Sequence, residues 1–448
     1  MKEKDITAIR DGFNTKWGFS LACIGSAVGM GNIWRFPVMI SQFGGMTFFI
    51  PYLIFVILIA STGVIEEMAL GRSAQAGPIG AFAYCSNIRF KNKKIGEKLA
   101  LIPVIGSLAL AMGYTVVVGW IFKYTYLAFT GKLTQMGQNM DLIGSSFAKT
   151  ATNFGNNIWL IVAILVTFII MAMGVAEGIE KANKFMMPVL FVLLVGLGIY
   201  VSTIDGARVG YDYIFRLDVE QLKNPMLWIF AFGQAFFSLS IAGSGTVIYG
   251  SYLSKKEDII SAGRNVAFYD SLAALLATLV IIPAIAVSGA KLNVGGPGLM
   301  FIYLVNVFNS MPGGMVVGII FYICVLFAGI SSLINLYETS VATLQEEFNM
   351  NRFVSVGITG SVGLIVALFI QGIIEPWMDA VSIYACPLGA ALAGIFFFWI
   401  GGKEYAEKAV NEGAHKPVGA WFVNLGKYLY VPLALFALIM GIILNGIG

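Results

Sequence analysis

Histidine is almost missing from this chain: His415 is the single one in 448 residues. That scarcity removes imidazole as a general base and argues against zinc centres built on histidine. Cysteine is scarce as well. Cys23, Cys85, Cys324 and Cys386 lie far apart in or beside apolar runs, with no metal-ligand spacing, and are expected to be small buried residues. With no nucleophile–base set or metal cluster in view, a membrane enzyme has no support. Charge is short too, at 12% of residues, against about 25% in soluble domains. The net charge of +4 comes mostly from connecting loops, so no nucleic-acid partner is expected. The first apolar segment lacks a small-residue cleavage site after a short core and is not read as a signal peptide.

What the chain does have is apolar length. Hydrophobic residues make up 58% of it, in runs longer than the roughly 20 residues that cross a bilayer as helix, which favours helices over a barrel. Eleven spans are predicted, near 17–40, 46–71, 100–129, 157–175, 182–203, 225–252, 264–289, 313–345, 353–373, 377–400 and 428–446. The first and sixth are interrupted by small and polar residues. Two interrupted spans in corresponding positions suggest an all-α membrane protein built as a five-plus-five inverted repeat with one extra helix. The divisions would be 1–204, 205–402 and 403–448, although the two halves do not align residue by residue. With the N-terminus in the cytoplasm, twenty lysines and arginines fall inside and seven outside, with Arg35 left in the membrane. The positive-inside rule therefore predicts a multi-pass protein of the cell membrane with a cytoplasmic N-terminus and an external C-terminus.

The run Gly25-Ser26-Ala27-Val28-Gly29-Met30-Gly31-Asn32-Ile33-Trp34-Arg35-Phe36-Pro37 organises the rest. Its glycines weaken a helix and Pro37 lacks a backbone donor. A glycine-rich packing face would account for the glycines but not for Asn32, Arg35 and Pro37. Backbone that leaves helical geometry at membrane depth must be buried in protein or line a watery cavity. Its freed carbonyls can hold a hard cation and its freed N–H groups an anion. Gly233-Gln234-Ala235-Phe236-Phe237-Ser238-Leu239-Ser240-Ile241-Ala242-Gly243-Ser244-Gly245 is a similar interruption in the sixth span.

Several other residues stand out along the chain. Glu66 and Glu67 close the second span and could be merely interfacial. The 72–99 connection should carry a short helix, and Tyr114 alone reads as a helix-packing tyrosine. Gly178 and Pro188 bracket nine residues with weakened helical bonding. They mark either an ordinary helix start or a segment able to unwind at the cytoplasmic side. Asp270 lies deep in an apolar span and needs a cation or a basic partner. The 290–312 connection should sit outside and could fold back as a plug. Ser331 and Ser332, beside Ala328, can return hydrogen bonds to the preceding turn or serve as ligands to a hard cation.

Taken together, GSAVGMGNIWRFP at 25–37, GQAFFSLS at 233–240, AGISS at 328–332 and E-x-x-x-G-R at 67–72 resemble the neurotransmitter:sodium symporter family, with the leucine-transporter fold. The similarity runs from Arg10 to about residue 402. Eleven helices and the Gly178-x9-Pro188 motif resemble its bacterial amino-acid branch, which implies a bacterial inner membrane. The resemblance implies two sodium sites. The first would use the Ala27 carbonyl, Asn32, Ser238 and Asp270, which stands where many members have asparagine. The second would use the Gly25, Val28 and Ala328 carbonyls with the Ser331 and Ser332 hydroxyls. A small-molecule amino-acid substrate would touch Ser26, Ala27, Met30, Gly31, Leu110, Tyr114, Phe237, Ser238, Ser240, Ser332 and Leu336. Arg35 with Asp379 resembles an outer gate, and Arg10 with Glu346, near Tyr252, an inner one. Two positions depart from the pattern. Gly243 replaces the bulky side chain that usually walls the pocket, leaving room for an aromatic substrate. Ala274 replaces the serine of chloride-dependent relatives, so chloride is not expected.

These expectations define a non-enzyme: a sodium-coupled symporter importing a neutral amino acid, hydrophobic or aromatic, by alternating access in a lipid bilayer. A transporter of an amine or an osmolyte is the runner-up. A channel would need a continuous polar lining, whereas the polar groups here gather at mid-depth between gating pairs.

Overall fold

The structure, a computed structural model, describes residues 12–241, 244–287 and 298–447. Arg10, Gly243 and the Gly295-Gly296-Pro297 part of the 290–312 connection lie outside the described residues. The protein is an all-α membrane protein, and eleven crossings can be followed among the described residues. The uninterrupted ones include Gly45–Ala74, Lys93–Phe129, Val175–Ser202, Ile259–Val287, Gly314–Phe348 and Ala420–Leu444. Asn157–Ala172 is apolar but shorter. Residues 352–400 are helical almost throughout, and by length alone count as one segment. At 1.5 Å per residue that segment would reach about 70 Å, more than twice a bilayer's core. It is two crossings, Arg352–Ile370 and 374–400, folded at the tight turn Gln371–Ile373. The Gln371 side chain pins this turn to Asn156 N and Asn157 Oδ1.

The two interrupted crossings complete the set. The first runs Lys16–Ala27, breaks at Val28, widens into a π-helical turn over Gly31–Arg35 and resumes as Phe36–Phe43. The sixth runs Pro225–Ser238 and resumes as Gly245–Ser251. Several helix starts that emerge from loops are capped by short polar side chains. Thr15, Asn92, Asn139, Asn224 and Asn351 each accept a hydrogen bond from a backbone N–H two or three residues on. Such caps matter more in this setting, because orphan donors near lipid have little water to turn to.

Two connections that the sequence marked as structured are so. Residues 72–99 contain the helix Pro78–Phe90, anchored where Phe82 stacks on Phe396 at 4.5 Å. The described part of the 290–312 connection folds back as helix over 299–310, with Leu299, Met300, Phe301, Leu304 and Phe308 buried. Phe301 is the wedge that seats it, stacked on Phe147 at 5.1 Å and edge-on to Trp120. The segment at Gly178–Pro188 is wound here, a π-helical turn Val175–Glu180 leading straight into Lys181–Ser202. Glu66 and Glu67 are fully buried rather than interfacial, because the second crossing packs there against Gly245–Ser251.

Candidate functional site

The two breaks face each other and are tied together. The Ser240 hydroxyl donates to the Ser26 carbonyl at 2.6 Å, and the Gln234 amide donates to the Gly31 carbonyl at 3.1 Å. Ser240 holds φ at +55°, a conformation costly for a side-chain-bearing residue. Its hydroxyl bond across the break is what offsets that cost. Within the first break, Val28 turns extended with ψ of 93°, so the helical ladder stops one residue after Ala27.

Beside these breaks lies an oxygen cluster centred on Asp270, which is fully buried. Its Oδ1 accepts from Asn32 Nδ2 at 2.7 Å and from the Ser238 hydroxyl at 2.8 Å. Its Oδ2 accepts from the Tyr52 hydroxyl at 2.9 Å. These donors are neutral, so nothing in the cluster compensates the charge of an ionised carboxylate. A hard cation would, and oxygen atoms are the ligands it prefers. Asn32 is oriented with its nitrogen toward the acid and its Oδ1 accepting from Gly29 N–H at 3.0 Å. A half-turn of that amide, an orientation assigned from hydrogen bonding, presents its oxygen instead.

A second group forms where the first crossing meets the fifth and eighth. Ser331 donates to the Ala328 carbonyl at 3.1 Å. The Ser332 hydroxyl is buried and has no hydrogen-bond partner among the described residues. Gly29 and Gly25 are the positions that let these helices touch. A Cβ on Gly29 would lie 2.6 Å from Ser332 Oγ, and one on Gly25 would lie 2.2 Å from Asn183 Oδ1 and 3.1 Å from Ser331 Cβ. Buried oxygens converging on a helix break fit a second hard cation by the same reasoning.

Between the groups is a small cavity of about 40 Å³. Of the residues expected to touch substrate, Ser26, Ala27, Gly31, Leu110, Tyr114, Phe237, Ser238, Ser240, Ser332 and Leu336 line it. Met30 does not; it lines a wider cavity of about 530 Å³. Phe237 and Tyr114 belong to both cavities and form the partition between them. Arg35 and Asp379 face the wide cavity without a salt bridge joining them, and the Arg35 guanidinium lies over the Phe237 ring at 5.1 Å.

The opposite end carries its own set of contacts. Glu346 accepts from the Gly77 N–H, at 2.8 Å for the shorter of two contacts. The Tyr252 hydroxyl donates to Glu338 at 2.6 Å. Glu338 is fully buried and also holds Arg352 in a two-pronged ion pair, both contacts at 2.9 Å. Arg352 donates onward to the Met171 carbonyl, joining the eighth and ninth crossings to the end of the fourth.

Sequence reasoning gave no individual role to Tyr52, Gln234, Asn335, Asn183 or Glu338. Tyr52 sits in GMTFFIPYLIFVILI, where a tyrosine reads as one more apolar ring. Asn335 carried a usable signal, since it follows Ser331 and Ser332 at helical spacing and so shares their face. It lines the small cavity and donates to the Gly245 carbonyl at 3.2 Å.

Comparison with known proteins gives a consistent result. The model of the sodium:neurotransmitter symporter family matches residues 10–142 and 138–445. An uncharacterised sodium-dependent transporter of Bacillus subtilis is 32% identical over 336 residues, covering 74% of this chain and 71% of that protein. One of Methanocaldococcus jannaschii is 28% identical, covering 94% of this chain and 87% of its own. The crystal structure of MhsT in complex with L-phenylalanine superimposes with a TM-score of 0.83, at 31% identity over 96% of this chain and 99% of that one.

Proposed function

Since the chain belongs to the sodium:neurotransmitter symporter family and is thereby a sodium-dependent membrane transporter, we propose that its cargo is a neutral amino acid with a hydrophobic or aromatic side chain. The observation that carries this reading is Gly29. A transporter of amines needs a fixed anion for the substrate ammonium, and the small cavity has no acidic side chain at this position. A zwitterion brings its own carboxylate. That carboxylate would lie against the first break near the Gly31 N–H and the first sodium, with the Tyr114 hydroxyl donating to it. The ammonium would meet carbonyls of the two breaks, and the side chain would extend toward Leu110 and Leu336. The phenylalanine bound to MhsT supports the same choice.

The cavity of about 40 Å³ is too small for such a ligand, so binding has to displace some of its lining side chains. Two sodium ions would bind, one at Asp270, Asn32, Ser238 and the Ala27 carbonyl. The other would take the Gly25, Val28 and Ala328 carbonyls with Ser331 and Ser332. Both are cargo, moved down their gradient with the amino acid. Chloride is not required in this reading, because Asp270 already supplies the negative charge. Residues 1–204 and 205–402 would be the two inverted repeats, with the N-terminus cytoplasmic and the wide cavity external. Phe237 and the Arg35–Asp379 pair would close above the substrate before the contacts at Glu346 open below it.

Competition decides the cargo class. With purified protein in sodium buffer, phenylalanine and its decarboxylated amine are offered against a bound aromatic amino acid. The acid should displace it and the amine should not. Equal displacement by the amine removes the carboxylate contact and puts the amine reading first.

A further inference from the structure

We propose that Asn183 supplies one more oxygen ligand to the cation of the second site, carried on the Gly178–Pro188 segment. The inference rests on the reading of Ser331, Ser332 and the neighbouring carbonyls as a cation site. Asn183 is fully buried, and its Nδ2 donates to the Ile179 carbonyl at 2.9 Å. That bond fixes the amide, so that Oδ1 points away from its own helix. Oδ1 has no hydrogen-bond partner among the described residues. It points at the first crossing: a Cβ placed on Gly25 would sit 2.2 Å from it. The same imagined atom lies 3.1 Å from Ser331 Cβ. The backbone of Gly25, the Ser331 side chain and a free amide oxygen therefore converge from three helices.

An amide oxygen with no donor is costly to bury, and an amide oxygen is also a regular ligand for hard cations. Here the donor end is satisfied, and the acceptor end is left against Gly25 on the side where the Ser331 side chain also approaches. The placement has a mechanical result. Occupancy of the site would hold Asn183, and with it the first turns of the fifth crossing, in the wound form. Unwinding between Gly178 and Pro188 would withdraw a ligand at the moment it admits water.

The test uses the full-length protein, purified without substrate. Thermal unfolding is followed as sodium replaces potassium at constant ionic strength, and hydrogen exchange over 178–188 is measured in each salt. The wild type should be stabilised by sodium and protected over that segment. Asn183→Ala should raise the half-saturating sodium concentration about tenfold and lose the sodium-specific protection. Asn183→Asp keeps an oxygen in place and should retain sodium affinity within a factor of about three or improve it. A structural role would instead lower the baseline melting point of both variants and leave their sodium response alone. Wild-type sodium dependence in Asn183→Ala, or equal weakening in both variants, overturns the proposal. A wild type indifferent to sodium, or unchanged sodium binding in a folded Ser331→Ala/Ser332→Ala protein, overturns the site reading beneath it.

Discussion

Replacing Asp270 by asparagine isolates the charge of the first site from its shape. The side chain is nearly isosteric and one oxygen survives, so the acceptor positions now filled by Asn32, Ser238 and Tyr52 are reduced rather than erased. What disappears is a full negative charge in a fully buried cluster of neutral donors. Two unit charges about 4 Å apart attract by about 4 kcal/mol at an effective dielectric constant near 20. Part of that is returned, because the variant no longer buries an ionic group before the cation arrives. Taking half leaves about 2 kcal/mol, or roughly a 30-fold loss of sodium affinity. The assay is equilibrium binding of a labelled aromatic amino acid as sodium is titrated against choline. Asp270→Asn should move the half-saturating sodium concentration up by that factor while reaching the same plateau. A variant that unfolds cooperatively yet titrates like the wild type would show that Asp270 does not face a cation, and the electrostatic reasoning would fall with it.

Other outcomes follow from the same geometry. Ser331→Ala/Ser332→Ala removes two hydroxyls from the second group and should abolish sodium-dependent substrate binding; undiminished binding in the folded variant would refute the assignment. Pro188→Ala restores a backbone donor within a continuous helix. It should slow hydrogen exchange over 178–188 and slow release of sodium to the inner side, and no change in either would mark Pro188 as ordinary punctuation. Exchanging chloride for gluconate should leave the transport rate unchanged, because Ala274 offers no hydroxyl to an anion and Asp270 would repel one. A large loss of rate would contradict the charge argument.

The eleven crossings and both breaks were legible in the sequence because they rest on local causes: apolar length, glycine, proline, and polar residues where lipid should be. Asp270 could be singled out for the same reason. Partnerships were harder to see. Nothing local says that Tyr52 reaches Asp270, 218 positions away in sequence. Nor does anything say that Tyr252 turns to Glu338, since an ion pair formed at a crossing of three helices depends on their rotation. Glu66 and Glu67 were ambiguous for a related cause. Two acids near a helix end look interfacial until the packing of the resumed sixth helix covers them. Met30 belongs to the break by sequence, yet it borders the wide cavity while its methyl group packs against Gly329 of the eighth crossing.

The contact between Gly25 and Asn183 also constrains how this chain can change by descent. The amide oxygen occupies the volume that a side chain at position 25 would need. A lineage that acquires alanine at position 25 while keeping Asn183 passes through an overpacked intermediate, whereas one that first shortens residue 183 does not. The two replacements are thus ordered in time, although 158 positions separate them in the sequence. Related chains should carry either both residues or neither, and the rare exceptions should be those with something smaller than asparagine opposite glycine.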